Sequence, residues 1–428
     1  MIALEGATLI DGAGGPAKTD ALILIKDGAI KAVARVNEIK IPRGAERMNL
    51  IGKTVIPGLI DAHAMVERWA LPRYLAWGVT TVRDMHSAAD SGYAIKKDLD
   101  LGSVIGPRMF TAGPGIDGMP ATLPGATAVA GDEEARQAVD QRAVAGADYV
   151  TVYTKITPDL LRAMVDEAKT LRLRVAARVG KIDAVTAARA GVVSLEHLSG
   201  IVQAAAPDAT SYFRAYDLFL PGLTAEESGW STLDSVSVAR VAATLASSDV
   251  AIVPTLIEHD ALAHLDDPAL LSRLGMSDVP TGDGNRVRGV AELLQRSGWR
   301  AADFAAFRRG RARQDQFVRE FKAAGGLLAA GTNAAAPLLV PGASLHEELV
   351  LLVAAGLTPI EAITVATRHG AQVLGADSLG LLVPGKAADL VVLNRSPTED
   401  ITATRDIAWV MVRGRVVKPD SLRAEWKQ

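Results

Sequence analysis

The chain has 428 residues, with 46 lysine or arginine against 49 aspartate or glutamate, so its formal net charge is −3. This near-neutral balance shows no basic stripe and argues against a nucleic-acid partner, and a hydrophobic content of 49% excludes a disordered chain. Cysteine is absent, which excludes disulfides, thiolate nucleophiles and cysteine-ligated metals.

The N-terminal residues MIALEG lack the basic and apolar regions of a signal peptide. No uncharged apolar run approaches the roughly 20 residues that a membrane helix needs. We therefore expect a cytoplasmic protein with no membrane partner.

Both ends of the chain carry short apolar runs that turn signals separate, such as Asp27-Gly28 and Arg413-Gly414. These runs, which predict strands, are residues 2–4, 7–10, 21–25, 29–33, 389–393, 407–412 and 415–417. Two β-rich ends around a long middle predict a small composite β-sandwich domain, built from residues 1–56 and 384–428.

The middle of the chain, residues 57–383, alternates helical stretches with short apolar runs. Helices are predicted at 133–145, 158–171 and 184–190, and strands at 149–153, 174–177, 192–195, 250–253 and 327–330. Such alternation means parallel strands joined by crossover helices, and so many units favour an α/β fold of the (β/α)8 TIM-like barrel type. Residues 198–235 and 265–285 interrupt the alternation, either as a lid or pocket wall or as surface insertions.

Several segments at predicted strand ends resemble the amidohydrolase superfamily. PGLIDAH at 57–63 resembles its first-strand signature, GVTTVRD at 78–84 its second strand, and GVVSLEH at 191–197 the strand that carries a metal histidine. SLHEEL at 344–349, AGLTPIEA at 355–362 and GLLVPGKAADL at 380–390 are similar to the imidazolonepropionase-like and Xaa-Pro-dipeptidase-like branch. The resemblance covers residues 1 to about 417 and implies a metal-dependent-hydrolase barrel with a composite β-sandwich.

The metal ligands that this resemblance implies are mostly replaced. His63 and His197 match the family pattern, but its second first-strand histidine is Met65, and Thr151 stands where the bridging lysine is expected. Its next histidine is Arg178, and its catalytic aspartate is Asn333.

A catalytic zinc site needs about three protein ligands, and the guanidinium of Arg178 repels a divalent cation. We therefore expect a degenerate metal site and no cofactor, with a single zinc ion as the alternative.

The side chains that remain suit proton-transfer chemistry. We expect catalytic roles for His63 and His197 as proton carriers, Arg178 as an anion binder and Asn333 as an oxyanion or enolate stabiliser. Asp61 and Asp84 stand near strand ends and could orient a histidine. The expected substrate-binding residues are Met65, His86, Tyr153, His259, His346 and Glu347.

Each of these residues has a structural alternative. The alternative for His63 and His197 is a structural remnant, which for His63 only hydrogen-bonds the second strand. Met65 is a common core filler, and Arg178 fits a buried ion pair with Asp61 or Glu196.

The sequence supports three hypotheses about function. The first is a metal-independent enzyme for elimination, isomerisation, cyclisation or a similar reaction on a small, partly apolar anion. The second is a hydrolase of C–N bonds in amides or cyclic amides with a rearranged or single-metal site, and the third is a non-catalytic scaffold. The expected partner is a small-molecule substrate, and the resemblance implies a homo-oligomer.

Overall fold

The computed structural model describes residues 1–88 and 91–426, so the last two residues of the predicted 384–428 segment lie outside it. Its strands are β1 (Ile2–Leu9), β2 (Lys18–Lys26), β3 (Ala29–Arg35), β4 (Glu46–Asn49), β5 (Thr54–Pro57), β6 (Leu59–Ala64), β7 (Val79–Asp84), β8 (Arg108–Thr111), β9 (Ile116–Gly118), β10 (Thr127–Val129), β11 (Val150–Val152), β12 (Val175–Ala177), β13 (Ser194–Glu196), β14 (Ala251–Val253), β15 (Leu327–Leu328), β16 (Leu390–Leu393), β17 (Ile407–Val412) and β18 (Arg415–Val417).

The α-helices are α1 (Leu71–Ala76), α2 (Ser91–Leu101), α3 (Asp132–Ala145), α4 (Pro158–Thr170), α5 (Ala184–Ala190), α6 (Ile201–Ala205), α7 (Thr210–Ala215), α8 (Phe219–Gly229), α9 (Ser235–Ala246), α10 (Leu256–Ala263), α11 (Asn285–Arg288), α12 (Val290–Ser297), α13 (Ala301–Ala323), α14 (Ala343–Ala354), α15 (Pro359–Thr364), α16 (Gly370–Leu374) and α17 (Pro419–Trp426). No helix among the described residues is long and apolar enough to cross a membrane.

Eight parallel strands form the barrel, in the order β6, β7, β8, β11, β12, β13, β14 and β15. Backbone hydrogen bonds join the two sheets that contain them at both edges. Asp148 N donates to Thr111 O at 2.9 Å, and Ala62 N donates to Ala330 O at 2.9 Å. The predicted α/β barrel fold is therefore confirmed, and the carboxyl ends of all eight strands face one side of the molecule.

The helices begin and end where local side chains satisfy their free backbone groups. Asp183 caps α5, accepting a hydrogen bond from Thr186 N at 2.9 Å, and Gly191 ends the helix with a φ of 99°, which a β-carbon would strain. These two signals explain why the predicted bounds of this helix, 184–190, agree with the structure.

A second sheet draws its strands from both ends of the chain. Its order is β18, β17, β16, β5, β1, β2 and β3, with β4 paired to β1. Its own apolar cluster includes Leu4, Ile23 and Val392, whereas the main cluster lies around the barrel strands and includes Val152 and Leu195. The predicted composite domain at the termini matches this sheet in outline, and its boundaries stay a prediction.

Candidate active site at the carboxyl ends of the barrel strands

The carboxyl ends of the barrel strands bring the four predicted catalytic side chains together. His63 lies near the end of β6, whereas Arg178 follows β12, His197 follows β13 and Asn333 follows β15 by a short loop. All four side chains are buried and line one small chamber. The barrel topology thus collects residues that are up to 270 positions apart in the chain.

The first imidazole is held by a buried carboxylate. His63 Nδ1 lies 2.7 Å from Glu196 Oε2, and Arg83 Nη2 donates to Glu196 Oε1 at 2.7 Å. Arg83 is itself fixed by Ala62 O at 2.5 Å and by Ser194 Oγ at 3.0 Å. Burial acts to raise the pKa of Glu196, but Arg83 and His63 outweigh it and lower that pKa to about 2, so the carboxylate is ionised.

The second imidazole has a carboxylate of its own. His197 Nδ1 lies 2.5 Å from Glu258 Oε2 and 2.8 Å from Thr255 Oγ1. Arg178 Nη1 donates to Glu258 Oε1 at 3.2 Å. Burial would raise the pKa of Glu258, yet His197 and Arg178 hold it well below its ordinary value. Two ionised carboxylates therefore orient two histidines.

Aromatic rings enclose the Arg178 guanidinium. Its Cζ lies 5.2 Å from the centroid of Phe219 and 5.8 Å from that of Tyr153. Such cation–π contacts favour a desolvated guanidinium. The predicted ion pair of Arg178 exists, but its partner is Glu258 and neither Asp61 nor Glu196.

The two imidazoles are in contact and uncharged near neutral pH. Their ring centroids are 4.1 Å apart, at an interplanar angle of 69°. Burial lowers the pKa of both, that of His197 to about 3. Since each Nδ1 faces an ionised carboxylate, it carries the ring proton and leaves Nε2 as the acceptor. Neither Nε2 has a hydrogen-bond partner in the described part of the chain.

The backbone is strained at three consecutive strand ends around these rings. His197 has a φ of 60°, Thr255 a φ of 46° and Asn333 a φ of 59°. Residues other than glycine seldom adopt this left-handed region, and such residues cluster at functional sites. The strain aims the side chains after β13, β14 and β15 and favours a functional role for this end of the barrel.

His259 contacts the backbone of His197 and does not line the site. Its Nε2 donates to the backbone oxygen of His197 at 3.0 Å, and its Nδ1 contacts Glu227 Oε1 at 2.7 Å. Burial acts to lower the pKa of His259, but the Glu227 carboxylate outweighs it and raises that pKa. His259 lines neither cavity described below, so the structure places this predicted substrate-binding residue one layer beneath the site.

Two cavities meet above the histidines. The small chamber, about 40 Å³, is lined by residues that include His63, His197, Thr151, Arg178 and Asn333. The large cavity, about 750 Å³, is lined mainly by apolar side chains, and Met65, Leu123, Tyr153, Arg178 and Asn333 line both. Residues 218–221 and 223, from the segment predicted as a lid or pocket wall, line the large cavity.

The family of the chain follows from a comparison of its sequence with family models. The model of the amidohydrolase family matches residues 54–417. The chain belongs to the amidohydrolase family. The predicted membership is thus confirmed, and a search of curated proteins finds no match.

Solved structures share the fold over nearly the whole chain. A crystal structure assigned to a prolidase from Bifidobacterium longum is 25% identical, with a TM-score of 0.72, covering 100% of this chain and 99% of that one. The bottromycin amidohydrolase is 23% identical, with a TM-score of 0.75 and coverage of 98% and 87%. Ochratoxinase from A. niger is 19% identical, with a TM-score of 0.68 and coverage of 97% and 95%. The first supports the predicted prolidase-like branch, and the other two show the fold.

The residues of this family member do not fit a binuclear metal centre. Among the described residues, no group of three or more histidine, cysteine, aspartate or glutamate side chains is placed to hold a metal ion. His63 and His197 offer two imidazole nitrogens, whereas a catalytic zinc ion needs about three protein ligands. Arg178 lines the same chamber, and its permanent positive charge disfavours a divalent cation there.

Three other predicted residues lie in different places. His86 lines the small chamber, accepting from Gly115 N at 3.0 Å and contacting Pro124 O at 3.1 Å. His346 is buried away from both cavities, with Nδ1 2.9 Å from Thr404 Oγ1 and Nε2 2.8 Å from Trp77 O. Glu347 pairs with Arg405 at 3.0 Å. The structure does not bring His346 or Glu347 to the site.

The carboxylates that orient the histidines were not the predicted ones. Asp61 accepts from the backbone of His63 at 3.2 Å and does not contact its ring, and Asp84 accepts from Val66 N at 3.0 Å. The carboxylates that contact the two imidazole rings are instead those of Glu196 and Glu258. Glu196 directly precedes His197 in LEH, but Glu258 reaches the site only because α10 begins directly after Thr255, so no local signal marked it.

The buried carboxyl of Glu348 leads to a prediction about how the stability of the protein depends on pH. It is fully buried in α14, where Oε2 accepts from Ile257 N at 2.7 Å, and burial raises its pKa to about 8 from an ordinary 4.5. The folded protein thus binds a proton that the unfolded chain releases between these pH values, so stability falls as pH rises through this window.

Glu348→Gln keeps the shape and removes this ionisation. Between pH 5 and pH 8 the free energy of unfolding of the wild type should fall by an amount on the order of 2–4 kcal/mol because of Glu348, and the variant should not show this fall. Urea-unfolding midpoints at three pH values measure this difference. If the midpoints of the two proteins change equally with pH, the raised pKa of Glu348 is contradicted.

Proposed function

We propose that this amidohydrolase-family enzyme performs acid–base chemistry without a metal ion on a small, partly apolar anionic molecule. One observation carries the proposal: two carboxylate–imidazole pairs, Glu196–His63 and Glu258–His197, meet ring to ring at a small chamber that adjoins a larger apolar cavity. Elimination, isomerisation or cyclisation each needs a proton removed at one atom and delivered at another. Two adjacent imidazoles whose Nε2 atoms have no partner among the described residues are equipped for both transfers.

The proposed steps use the chain's own groups. The Nε2 of one imidazole accepts a proton from the substrate, and the carboxylate at its Nδ1 stabilises the imidazolium that forms. Arg178 and the amide of Asn333 stabilise negative charge that develops on a substrate oxygen. The imidazolium then returns the proton to a second substrate atom, so no net proton is gained or lost by the enzyme.

Metal content provides the first test. Elemental mass spectrometry of the purified protein, before and after dialysis against EDTA, is expected to find well under one equivalent of divalent metal per chain. The circular dichroism spectrum and the melting temperature are expected to stay the same after chelation. One tightly held equivalent or more, with a lower melting temperature after its removal, would overturn the metal-independent proposal.

The second candidate is hydrolysis of a C–N bond with one metal ion. The names of the similar structures (prolidase, amidohydrolase, ochratoxinase) favour it. So does the pairing of each Nδ1 with a carboxylate, because histidines that bind metals commonly have this arrangement. Turnover of N-acyl amino acids or dipeptides that EDTA abolishes and zinc restores would select this candidate.

A further inference from the structure

Two polar atoms beside the histidines are buried without a hydrogen-bond partner among the described residues. They are Thr151 Oγ1 and Arg178 Nε. Both residues line the small chamber, and both are at most 6% exposed. An unsatisfied buried polar group costs about 1–3 kcal/mol, and native proteins keep few of them. Because they lie together at one chamber, the two atoms offer a bound ligand two hydrogen-bonding groups.

The chemistry of these atoms selects the ligand group. A guanidinium N–H is a donor only, and a threonine hydroxyl can donate as well, so the two atoms complement oxygens that accept. The Glu258 carboxylate contacts Arg178 through Nη1, which leaves Nε unused. A volume of about 40 Å³ holds two or three water molecules, and a carboxylate group is of similar size. Glu196 also lines the chamber, but its carboxylate is paired with Arg83 and His63, so the small chamber suits a carboxylate.

The large cavity defines the rest of the ligand. Its lining includes Phe219, Leu220, Leu262 and Leu293, and its volume of about 750 Å³ is that of a site for a drug-sized molecule. The acidic residues in this lining are Glu258 and Glu292. Glu258 is engaged by His197 and Arg178, whereas Glu292 is an exposed side chain 3.4 Å from Arg296. Among the described residues, the large cavity therefore has no unpaired buried carboxylate that could bind the ammonium group of a ligand.

We propose that the small chamber is a carboxylate subsite, in which Thr151 Oγ1 and Arg178 Nε bind the carboxylate of a monocarboxylic acid whose uncharged apolar body fills the large cavity. This inference rests on the proposed function, because both place the anionic end of the substrate beside His63 and His197. The subsite is expected to favour a ligand with an uncharged tail over a free dipeptide, which carries an ammonium group as well as a carboxylate.

Binding of 4-phenylbutyrate tests the subsite without any knowledge of the reaction. Isothermal titration calorimetry compares wild type with Thr151→Val, which removes the hydroxyl at constant shape, and with Thr151→Ser, which keeps it. We expect Thr151→Val to bind the acid about tenfold more weakly or worse, and Thr151→Ser to bind within about threefold of wild type. The amide of the same acid and the dipeptide Leu-Pro are expected to bind at least about tenfold more weakly than the acid.

The melting temperature of Thr151→Val separates binding from a structural role. Removal of an unsatisfied hydroxyl is neutral or stabilising, so the ligand-free variant should melt at or above the wild-type temperature. Equal affinity of wild type and Thr151→Val for the acid, or preferred binding of the amide or dipeptide, would overturn the subsite. Carboxylate binding by a protein whose turnover proves metal-dependent would overturn the proposed function alone and keep the subsite.

Discussion

His197→Ala is expected to lower kcat by about 10²- to 10⁴-fold, the usual contribution of a positioned acid–base group. The imidazole is held by Glu258 at 2.5 Å and touches the ring of His63, so its loss removes one of the two groups proposed to transfer protons. The substrate for this measurement is the compound that turnover assays of apolar monocarboxylic acids identify. His264→Ala is the matched control, because His264 lies at the end of α10, outside the lining of both cavities, and it should keep wild-type turnover.

The pH profile sharpens this prediction. Burial lowers the pKa of His197 to about 3, and a general base works in its neutral form. We therefore expect kcat/KM to stay level between pH 5.5 and 8, where a histidine of ordinary pKa would lose activity toward the acid side. Undiminished kcat in His197→Ala would contradict the catalytic role of this residue.

Arg83→Met is expected to destabilise the protein by about 3–5 kcal/mol, the usual effect of removing one partner from a buried ion pair. Arg83 is 2% exposed, and its loss leaves the fully buried Glu196 carboxylate with His63 and Ser194 alone. Glu196 then either carries an unpaired charge or takes up a proton, and both are costly in the folded state. Chemical denaturation measured by circular dichroism gives the change in free energy of unfolding.

Arg136→Met provides the control for this prediction. Arg136 is a half-exposed arginine that pairs with Glu167 at 3.3 Å, and exposed pairs contribute about 0–1 kcal/mol. If Arg83→Met unfolds at the same denaturant concentration as Arg136→Met, the buried chain Arg83–Glu196–His63 does not stabilise the fold.

The elements of the barrel could be predicted because their signals are local. The capping aspartate and the terminal glycine of α5 lie next to the helix that they bound, and strand–helix alternation implies parallel pairing without knowledge of any contact. Motifs at strand ends likewise placed His63, Arg178, His197 and Asn333 at one face, because the carboxyl ends of barrel strands share that face.

Partners across the barrel could not be predicted in this way. Arg178 pairs with Glu258, 80 residues away, and not with the acidic residues of the strand motifs. This pairing depends on the left-handed backbone at Thr255, which starts α10 so that Glu258 turns toward the chamber. His346, in a motif that resembles a substrate-proximal pair, instead hydrogen-bonds Trp77 and Thr404.

The sequence by itself determined the family and the alternation of strands and helices in the barrel, because the signals for both lie in adjacent residues. Only the tertiary structure decided which carboxylate orients each histidine, that the two imidazoles touch, and that Thr151 and Arg178 have polar atoms beside them without a partner among the described residues. Those relations arise from barrel closure and loop backbone conformation, which bring together side chains that are distant in the chain.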